Sequence, residues 1–333
     1  MLQIAGAEEQ FFRKSAARRI EMRADRLNQR PGILDFWAVR IPQSLSCFRG
    51  LTGSPAYVGL AAAYDKLGGV FIGAPPAEVR PKVVSAARKA LELDPEIAEA
   101  HALLADVYQQ QWRWADAEAE YKRALELNPN DAAAHLGLAN WLVCQGRTEE
   151  ALAWAQRARE LDPLGVASIR TGMILFFGRR YDQATRELRS VLAVHPNDAN
   201  ALWGLGFILI ANRQPEEAIT VLEKAASVSN RSPGVIGLLA AAYAQAGRRA
   251  DVLRLVEELK KRQQAGYVPT AAFVNAYLGL WDYEQAFAWL ERAYQEQSCI
   301  LLHLKVLPFF DPLRKDPRFV DLVRRVGLDQ ATN

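Results

Sequence analysis

The sequence predicts an all-α protein: a superhelical solenoid of about six to seven helical hairpins, followed by a C-terminal capping segment. Three features recur every 33 or 34 residues. They are a small residue in one helix, a second small residue in the next helix, and a large residue near the turn between them. Self-similarity at this period is typical of stacked helical hairpins, whose core grows with each added unit.

The repeating positions can be read directly from the chain. The first small position holds Ala105, Ala139, Gly172, Gly206 and Ala240. The second small position holds Ala117, Ala151, Ala184 and Ala218. The large position holds Tyr108, Leu142, Leu175, Leu209, Tyr243 and Tyr277. Because small side chains let helices approach closely, we expect the two small positions to face each other inside each hairpin.

Residues 1–53 do not keep the period and are predicted to form a basic amphipathic leader and a connector. Apolar residues recur three or four apart from Phe12 to Leu27, as on one face of a helix, before Pro31-Gly32 ends it. Basic side chains crowd the remaining surface at Arg13, Lys14, Arg18, Arg19, Arg23 and Arg26. This helix is interpreted either as a solvated leader that caps the stack or as a contact for an anionic partner.

The solenoid itself is predicted over residues 54–297. Its first hairpin carries about ten extra residues in a Gly/Pro-rich loop at 68–77, without phosphate-binding spacing. Regular hairpins are expected at 98–131, 132–164, 165–198, 199–232 and 233–266, and one more keeps the period beyond them. The period stops after about Gln297. Residues 298–333 are predicted to cap the stack, with helices over 299–307 and 319–326.

Composition and residue types argue against an enzyme, a metal site, a cofactor or a small-molecule substrate. The net charge of +3 arises within residues 1–30, so the rest of the chain is neutral overall and favours no nucleic acid. His101 and His135 lie one repeat apart, too far to share a metal, and are expected to pack within their hairpins. No apolar run is long enough to span a membrane. Three widely separated cysteines favour a reducing cytoplasm.

The tryptophans beside the hairpin turns are interpreted as core residues. Trp112 and Trp114 flank the first regular turn, and Trp281 stands at the equivalent place in the last hairpin. Large aromatic side chains supply much of the apolar surface that a core buries. We therefore expect all three rings to be covered.

The concave side of the stack is the predicted partner site, because the first helix of each hairpin should line it. The predicted contacts are Glu99, Asp106, Gln109, Asn140, Ile169, Met173, Phe176, Asn200, Trp203, Phe207 and Ile210. Polarity along this stripe changes from acidic to apolar. The stripe holds no Lys or Arg, which disfavours a clamp for a peptide's C-terminal carboxylate.

Two parts of the stripe have further implications. The aromatic patch over 173–210 is either a partner interface or a surface covered by neighbouring repeats or by Phe309 and Phe310 of the chain's own tail. Beyond it, Gly234 and Gly237 would let a helix or an extended peptide approach closely.

The series Leu104-Ala105, Tyr108, Ala117, Tyr121, Ala124 and Pro129 resembles the tetratricopeptide repeat, and this likeness extends over about residues 55–297. Two segments, 281–327 and 111–130, look like the repeat regions of bacterial winged-helix, serine/threonine-kinase or nucleotide-cyclase regulators. The resemblance implies a non-catalytic interaction scaffold for a protein or peptide. Its alternatives are a sensory or oligomerisation arm of a bacterial regulatory pathway, and attachment to nucleic acid or a membrane surface through the basic N-terminal helix.

Overall fold

The computed structural model describes residues 53–68, 74–162 and 166–329, and these residues form helices without strands. The helices are α1 Ser54–Leu67, α2 Pro76–Leu93, α3 Ala98–Gln110, α4 Trp114–Leu127, α5 Ala132–Cys144, α6 Thr148–Leu161, α7 Val166–Phe177, α8 Tyr181–Val194, α9 Ala199–Ala211, α10 Pro215–Val228, α11 Pro233–Gln245, α12 Arg249–Ala265, α13 Thr270–Gly279, α14 Tyr283–Gln295 and α15 Pro317–Arg325. Two 3₁₀ helices span Cys299–His303 and Pro308–Leu313. The basic helix predicted from Arg13 to Arg26 lies outside the described residues.

The predicted solenoid is confirmed. Each odd-numbered helix from α1 to α13 pairs with the next helix to form a hairpin, and the hairpin bounds agree with the sequence period. Each first helix also packs on the first helices of neighbouring hairpins. The first helices therefore form the inner, concave layer, and the second helices form the outer layer.

The repeated small residues allow the two helices of a hairpin to touch. Ala105 and Ala117 are both fully buried, as are the alanines at the equivalent positions. At Gly172 an added Cβ would lie 3.0 Å from the Leu188 side chain, and at Gly206 it would overlap Leu222. The small positions are thus a steric requirement of hairpin packing.

The repeated large residues mark how each first helix ends. The backbone N–H of Arg113 donates to the carbonyl of Tyr108, at 2.9 Å, and the same bond recurs at the equivalent residues of the later hairpins. The residue before each donor has a left-handed backbone, with φ between 58° and 84°: Trp112, Gly146, Arg179, Arg213, Gly247 and Trp281. This is the Schellman ending of a helix. We call these six positions the turn row.

The prediction that all three turn tryptophans lie in the core is wrong for Trp281, whose side chain is 69% exposed. Trp112 and Trp114 are partly covered, by Tyr294 and by the backbone of Val326. Because a residue of the turn row lies at the edge of the solenoid, only a segment from elsewhere in the chain can cover its side chain. Such a segment is present at Trp112, whereas Trp281 meets only the edge of the nearby Tyr283 ring, with centroids 6.2 Å apart, among the ring contacts of the described residues.

The segment predicted as a cap lies along the concave side. We call residues 297–329 the tail. Its backbone begins beside α2, where Arg80 Nη2 donates to the Gln297 carbonyl at 2.7 Å. It then runs over α5 and α9, and its end returns to α4, where Trp114 Nε1 donates to the Val326 carbonyl at 2.8 Å. The helix predicted over 299–307 is a 3₁₀ helix over Cys299–His303, whose three residues per turn direct side chains to several walls at once.

Candidate partner-binding groove

The tail divides the predicted concave site into a covered part and an open part. Near the C-terminal ends of the first helices, Gln109, Phe176, Phe207 and Ile210 are buried. Near the N-terminal ends, Glu99 and Asn200 are exposed. The remaining predicted contacts are half-buried: Asp106, Asn140, Ile169, Met173 and Trp203. The groove is therefore accessible from one side only.

The covered part is polar where α3, α5 and α7 line it. His303 of the tail stacks on Phe177 with ring centroids 4.4 Å apart, and its Nε2 lies 3.2 Å from Asn140 Oδ1. Burial, together with the charge of Arg170, lowers the pKa of His303 to about 4. The imidazole is therefore neutral at physiological pH, which suits a ring stacked on phenylalanine.

Two carboxyl groups, Asp65 and Asp106, lie within reach of the same Arg170 charge that acts on His303. The Tyr121 hydroxyl lies 2.5 Å from Asp106 Oδ1 and 3.0 Å from Gln109 Oε1. Burial, followed by the charge of Asp65, raises the pKa of Asp106 to about 7. Burial also raises the pKa of Asp65, against the opposing charge of Arg170. This part of the groove thus holds a carboxyl group that gains and loses its proton near neutral pH.

Sequence reasoning missed Asp65, Arg170 and His303 as groove residues. Asp65 corresponds to Gln109 once the first hairpin's longer loop is allowed for, so its position was available from the period. Arg170 stands where neighbouring repeats have Gly137 and Gly204, and this change of residue type was the available signal. His303 belongs to the tail, and no local pattern relates it to the stack. Although the predicted stripe holds no cation, the charge of Arg170 reaches the groove.

The apolar part of the groove is the aromatic patch expected from the sequence. Phe207 lies at its centre, with ring centroids 4.7 Å from Trp203 and 5.9 Å from Phe176. Phe309 of the tail lies 5.3 Å from the same ring. The tail therefore covers the centre of the patch, whereas Met173 and Trp203 stay half-buried.

The tail buries many apolar side chains. Its buried apolar side chains are Ile300, Leu301, Leu302, Leu304, Val306, Leu307, Phe310, Leu313, Phe319, Leu322, Val326 and Leu328. Burial of one such side chain contributes about 1.5–3 kcal/mol before the cost of ordering the chain. In this structure the tail therefore forms a wall of the groove.

The small residues at the far end of the stripe are also occupied by the chain itself. A Cβ added at Gly237 would overlap the backbone of Ala272, and one at Gly279 would lie 2.9 Å from Ala241 Cα. The close approach expected at Gly237 does occur, and the approaching helix is α13. The groove ends at this contact.

His101 and His135 have structural partners, as the sequence led us to expect. His101 Nδ1 lies 2.6 Å from Glu120 Oε2, and His135 Nε2 lies 2.9 Å from the carbonyl of Pro129. Within the described ranges, no group of three or more His, Cys, Asp or Glu side chains is placed to hold a metal ion. No helix of this part of the chain is long and apolar enough to cross a membrane.

Comparison with protein families agrees with this architecture. Family models of the tetratricopeptide repeat match residues 103–165, 179–227 and 209–268. The matched segments, just under half of the chain, are therefore similar to the tetratricopeptide repeat. Proteins built from these repeats generally act as non-catalytic scaffolds that bind protein or peptide partners. No curated protein matches the sequence.

Solved tetratricopeptide-repeat structures share the fold at low identity. The type IV pilus biogenesis factor PilW is 19% identical, with a TM-score of 0.50 over 62% of this chain and 92% of its own. A thermophilic repeat protein of Thermus thermophilus is 17% identical, with a TM-score of 0.50 over 57% and 98%. At these identities the likeness shows the fold alone. It does not support the narrower resemblance to bacterial regulators.

Proposed function

We propose that this tetratricopeptide-repeat chain is a non-catalytic scaffold that binds a peptide or a helix along the open strip of its concave side. The open strip consists of Glu99, Ala133, Ile169, Asn200 and Trp203. The position of the tail supports this proposal. It covers the C-terminal ends of the first helices and leaves their N-terminal ends exposed at Glu99, Ala133 and Asn200.

The chemistry of the strip defines the ligand. Its carboxylate at Glu99 favours a basic residue, and its half-buried Ile169 and Trp203 favour an apolar one. In this proposal the remaining predicted contacts do not touch the ligand and instead hold the strip in place. Asp106, Gln109, Asn140, Met173, Phe176, Phe207 and Ile210 position the strip from beneath, through the tail or through neighbouring repeats.

The proposal is tested by selecting peptides from a display library on the immobilised protein and titrating the best binder calorimetrically. Ala133→Arg and Asn200→Arg place long side chains on the strip, and we expect each to weaken binding about tenfold or more. Ala119→Arg, at an exposed position of outer helix α4, is the matched control and should bind normally. Equal affinity in the strip variants and in the control would refute the concave site.

A second hypothesis, a sensory or oligomerisation arm acting on a separate regulator, is supported by one contact. The two segments that resemble bacterial regulators touch each other, because Trp112 stacks on Tyr294 with centroids 4.9 Å apart. If this hypothesis is correct, we expect a neighbouring gene to encode a winged-helix or kinase domain. The two purified proteins should then elute together in size-exclusion chromatography. Separate elution would remove this hypothesis.

The third hypothesis, attachment through Arg13, Lys14, Arg18, Arg19, Arg23 and Arg26, lies outside the described residues and stays a prediction. Deleting residues 1–30 should abolish salt-dependent binding to anionic vesicles or to duplex DNA if it is correct. Unchanged binding would dispose of it.

A further inference from the structure

The turn row follows one edge of the solenoid, and its two halves differ. In the first half, every position contacts residues from the C-terminal part of the same chain. The Trp112 ring stacks on Tyr294, and a Cβ at Gly146 would lie 3.6 Å from Lys305 Cε. Arg179 forms a two-pronged ion pair with Asp311, with N–O distances of 2.6 and 2.7 Å.

The second half of the row is open. Within the described residues, Arg213 is exposed and forms no ion pair, and nothing lies within 4 Å of a Cβ built on Gly247. Trp281 is 69% exposed. A notch of about 90 Å³ lies between the last two turns, and its lining includes Trp281 and Arg249. Arg249 is also exposed and without an ion pair in the described part of the chain.

The left-handed backbone at Trp281 is unfavourable for a bulky residue. Its φ is 60°, close to that of Trp112, where stacking on Tyr294 offsets the cost. A glycine would relieve this strain, as Gly247 does at the preceding turn.

Trp281 keeps this strained backbone although its ring is mostly exposed and meets only the edge of Tyr283. Arg249 lines the same notch, and Arg213 lies two turns along the same edge. Folding alone does not explain this combination.

We propose that Arg213, Arg249 and Trp281 form a second interaction surface, which binds a partner segment that carries carboxylates and an aromatic ring. Charge complementarity supports this occupant, since the free charges of the surface are both positive. The covered half shows the same pairing of groups, with tyrosine against tryptophan and aspartate against arginine. Residues 1–30 of the chain carry seven basic and four acidic side chains, so their charge does not match this surface.

The repeat spacing sets the spacing of the ligand groups. Neighbouring hairpins lie about 10 Å apart, and an extended peptide advances about 3.3 Å per residue. Contacts at successive turns therefore need groups about three residues apart. A segment of the form Asp-x-x-Asp-x-x-Tyr can meet Arg213, Arg249 and Trp281 in that order or in reverse.

The test uses the full chain and a labelled heptapeptide, Asp-Gly-Ser-Asp-Gly-Ser-Tyr, with fluorescence anisotropy as the readout. We expect saturable binding that weakens as salt is raised. Trp281→Gly should weaken it about fivefold or more, and the double variant R213E/R249E should abolish it. Lys261→Glu makes the same charge change as R249E alone, elsewhere on α12, and should leave the affinity unchanged.

Two further measurements decide the proposal. Trp281→Gly should unfold at a slightly higher temperature than the natural chain, so weaker binding by this variant cannot be attributed to misfolding. The peptide with lysines in place of aspartates should not bind. Equal binding by the natural chain and either surface variant, equal binding of the lysine peptide, or no binding of the aspartate peptide at millimolar concentration would overturn the inference.

Discussion

The polar and apolar halves of the covered groove are lined by helices with the same role in the repeat, yet the tail contacts them through different chemistry. In the polar half, a neutral His303 meets Asn140. In the apolar half, Phe309 meets Phe207. Tail and groove change polarity together along the stack. The concave stripe is therefore complementary in polarity to the chain's own C-terminal segment.

The largest expected difference between the halves is energetic. Phe207→Ala removes a buried ring that contacts three aromatic neighbours and should cost about 3–5 kcal/mol. Asn140→Ala removes one hydrogen-bonding partner of His303 and should cost about 1 kcal/mol. Urea unfolding curves of the two variants measure both values. Equal costs would show that the tail is not anchored mainly by its apolar contacts.

The end of the apolar half can be tested at two glycines. Gly237→Ala would overlap backbone atoms of Ala272, which cannot rotate away, and should cost about 3 kcal/mol. Gly206→Ala would overlap the Leu222 side chain, which can change rotamer, and should cost about 1–2 kcal/mol. Thermal unfolding of both variants tests this order. A smaller loss for Gly237→Ala would mean that α13 can move away from α11.

The polar half should respond to pH, with opposite contributions from two groups. The pKa of Asp106 is raised to about 7 in the folded chain, so its contribution to stability is full below pH 4 and is lost as pH rises to 7. Asp106→Asn should therefore raise stability by about 1–2 kcal/mol at pH 8 and little at pH 4. Urea midpoints measured at both pH values are the readout. An equal effect at the two pH values would contradict the raised pKa.

His303 should make the opposite contribution to the pH dependence of stability. Its pKa is lowered to about 4, so its contribution is full above pH 6.5 and is lost as pH falls towards 4. His303→Gln places a side-chain amide, which does not titrate, near Asn140. This variant should lose less stability between pH 7 and pH 4 than the natural chain does. Parallel stability–pH curves for the two proteins would show that His303 titrates normally.

The smallest loss of stability is expected from a substitution at the end of the tail. Trp114→Phe removes the hydrogen bond to Val326 and should cost about 1 kcal/mol, with faster proteolysis after α15. Trp141→Phe removes a similar bond, from Trp141 Nε1 to the Trp114 carbonyl, without touching the tail. It should cost as much but leave the rate of tail cleavage unchanged. Equal cleavage rates would show that Trp114 does not retain the tail.

Much of the fold was predictable because its information is local. Ala105 and Ala117 stand at fixed intervals within one hairpin, and Tyr108 marks the end of its first helix, so the period alone located the hairpins and their turns. The same local information named the helix faces of the predicted stripe, whose role in binding stays a prediction. Trp281 was placed wrongly because the period assigns it the role of Trp112, without the covering Tyr294.

The sequence by itself determined that the chain is a stack of helical hairpins with an inner stripe that turns from polar to apolar. Only the tertiary structure decided what lies on that stripe. The contacts of His303 with Asn140 and of Phe309 with Phe207 join residues separated by several repeats, and no periodic pattern encodes such pairs. They form because the curved stack leaves an apolar hollow, and burial of the adjoining tail removes that surface from water.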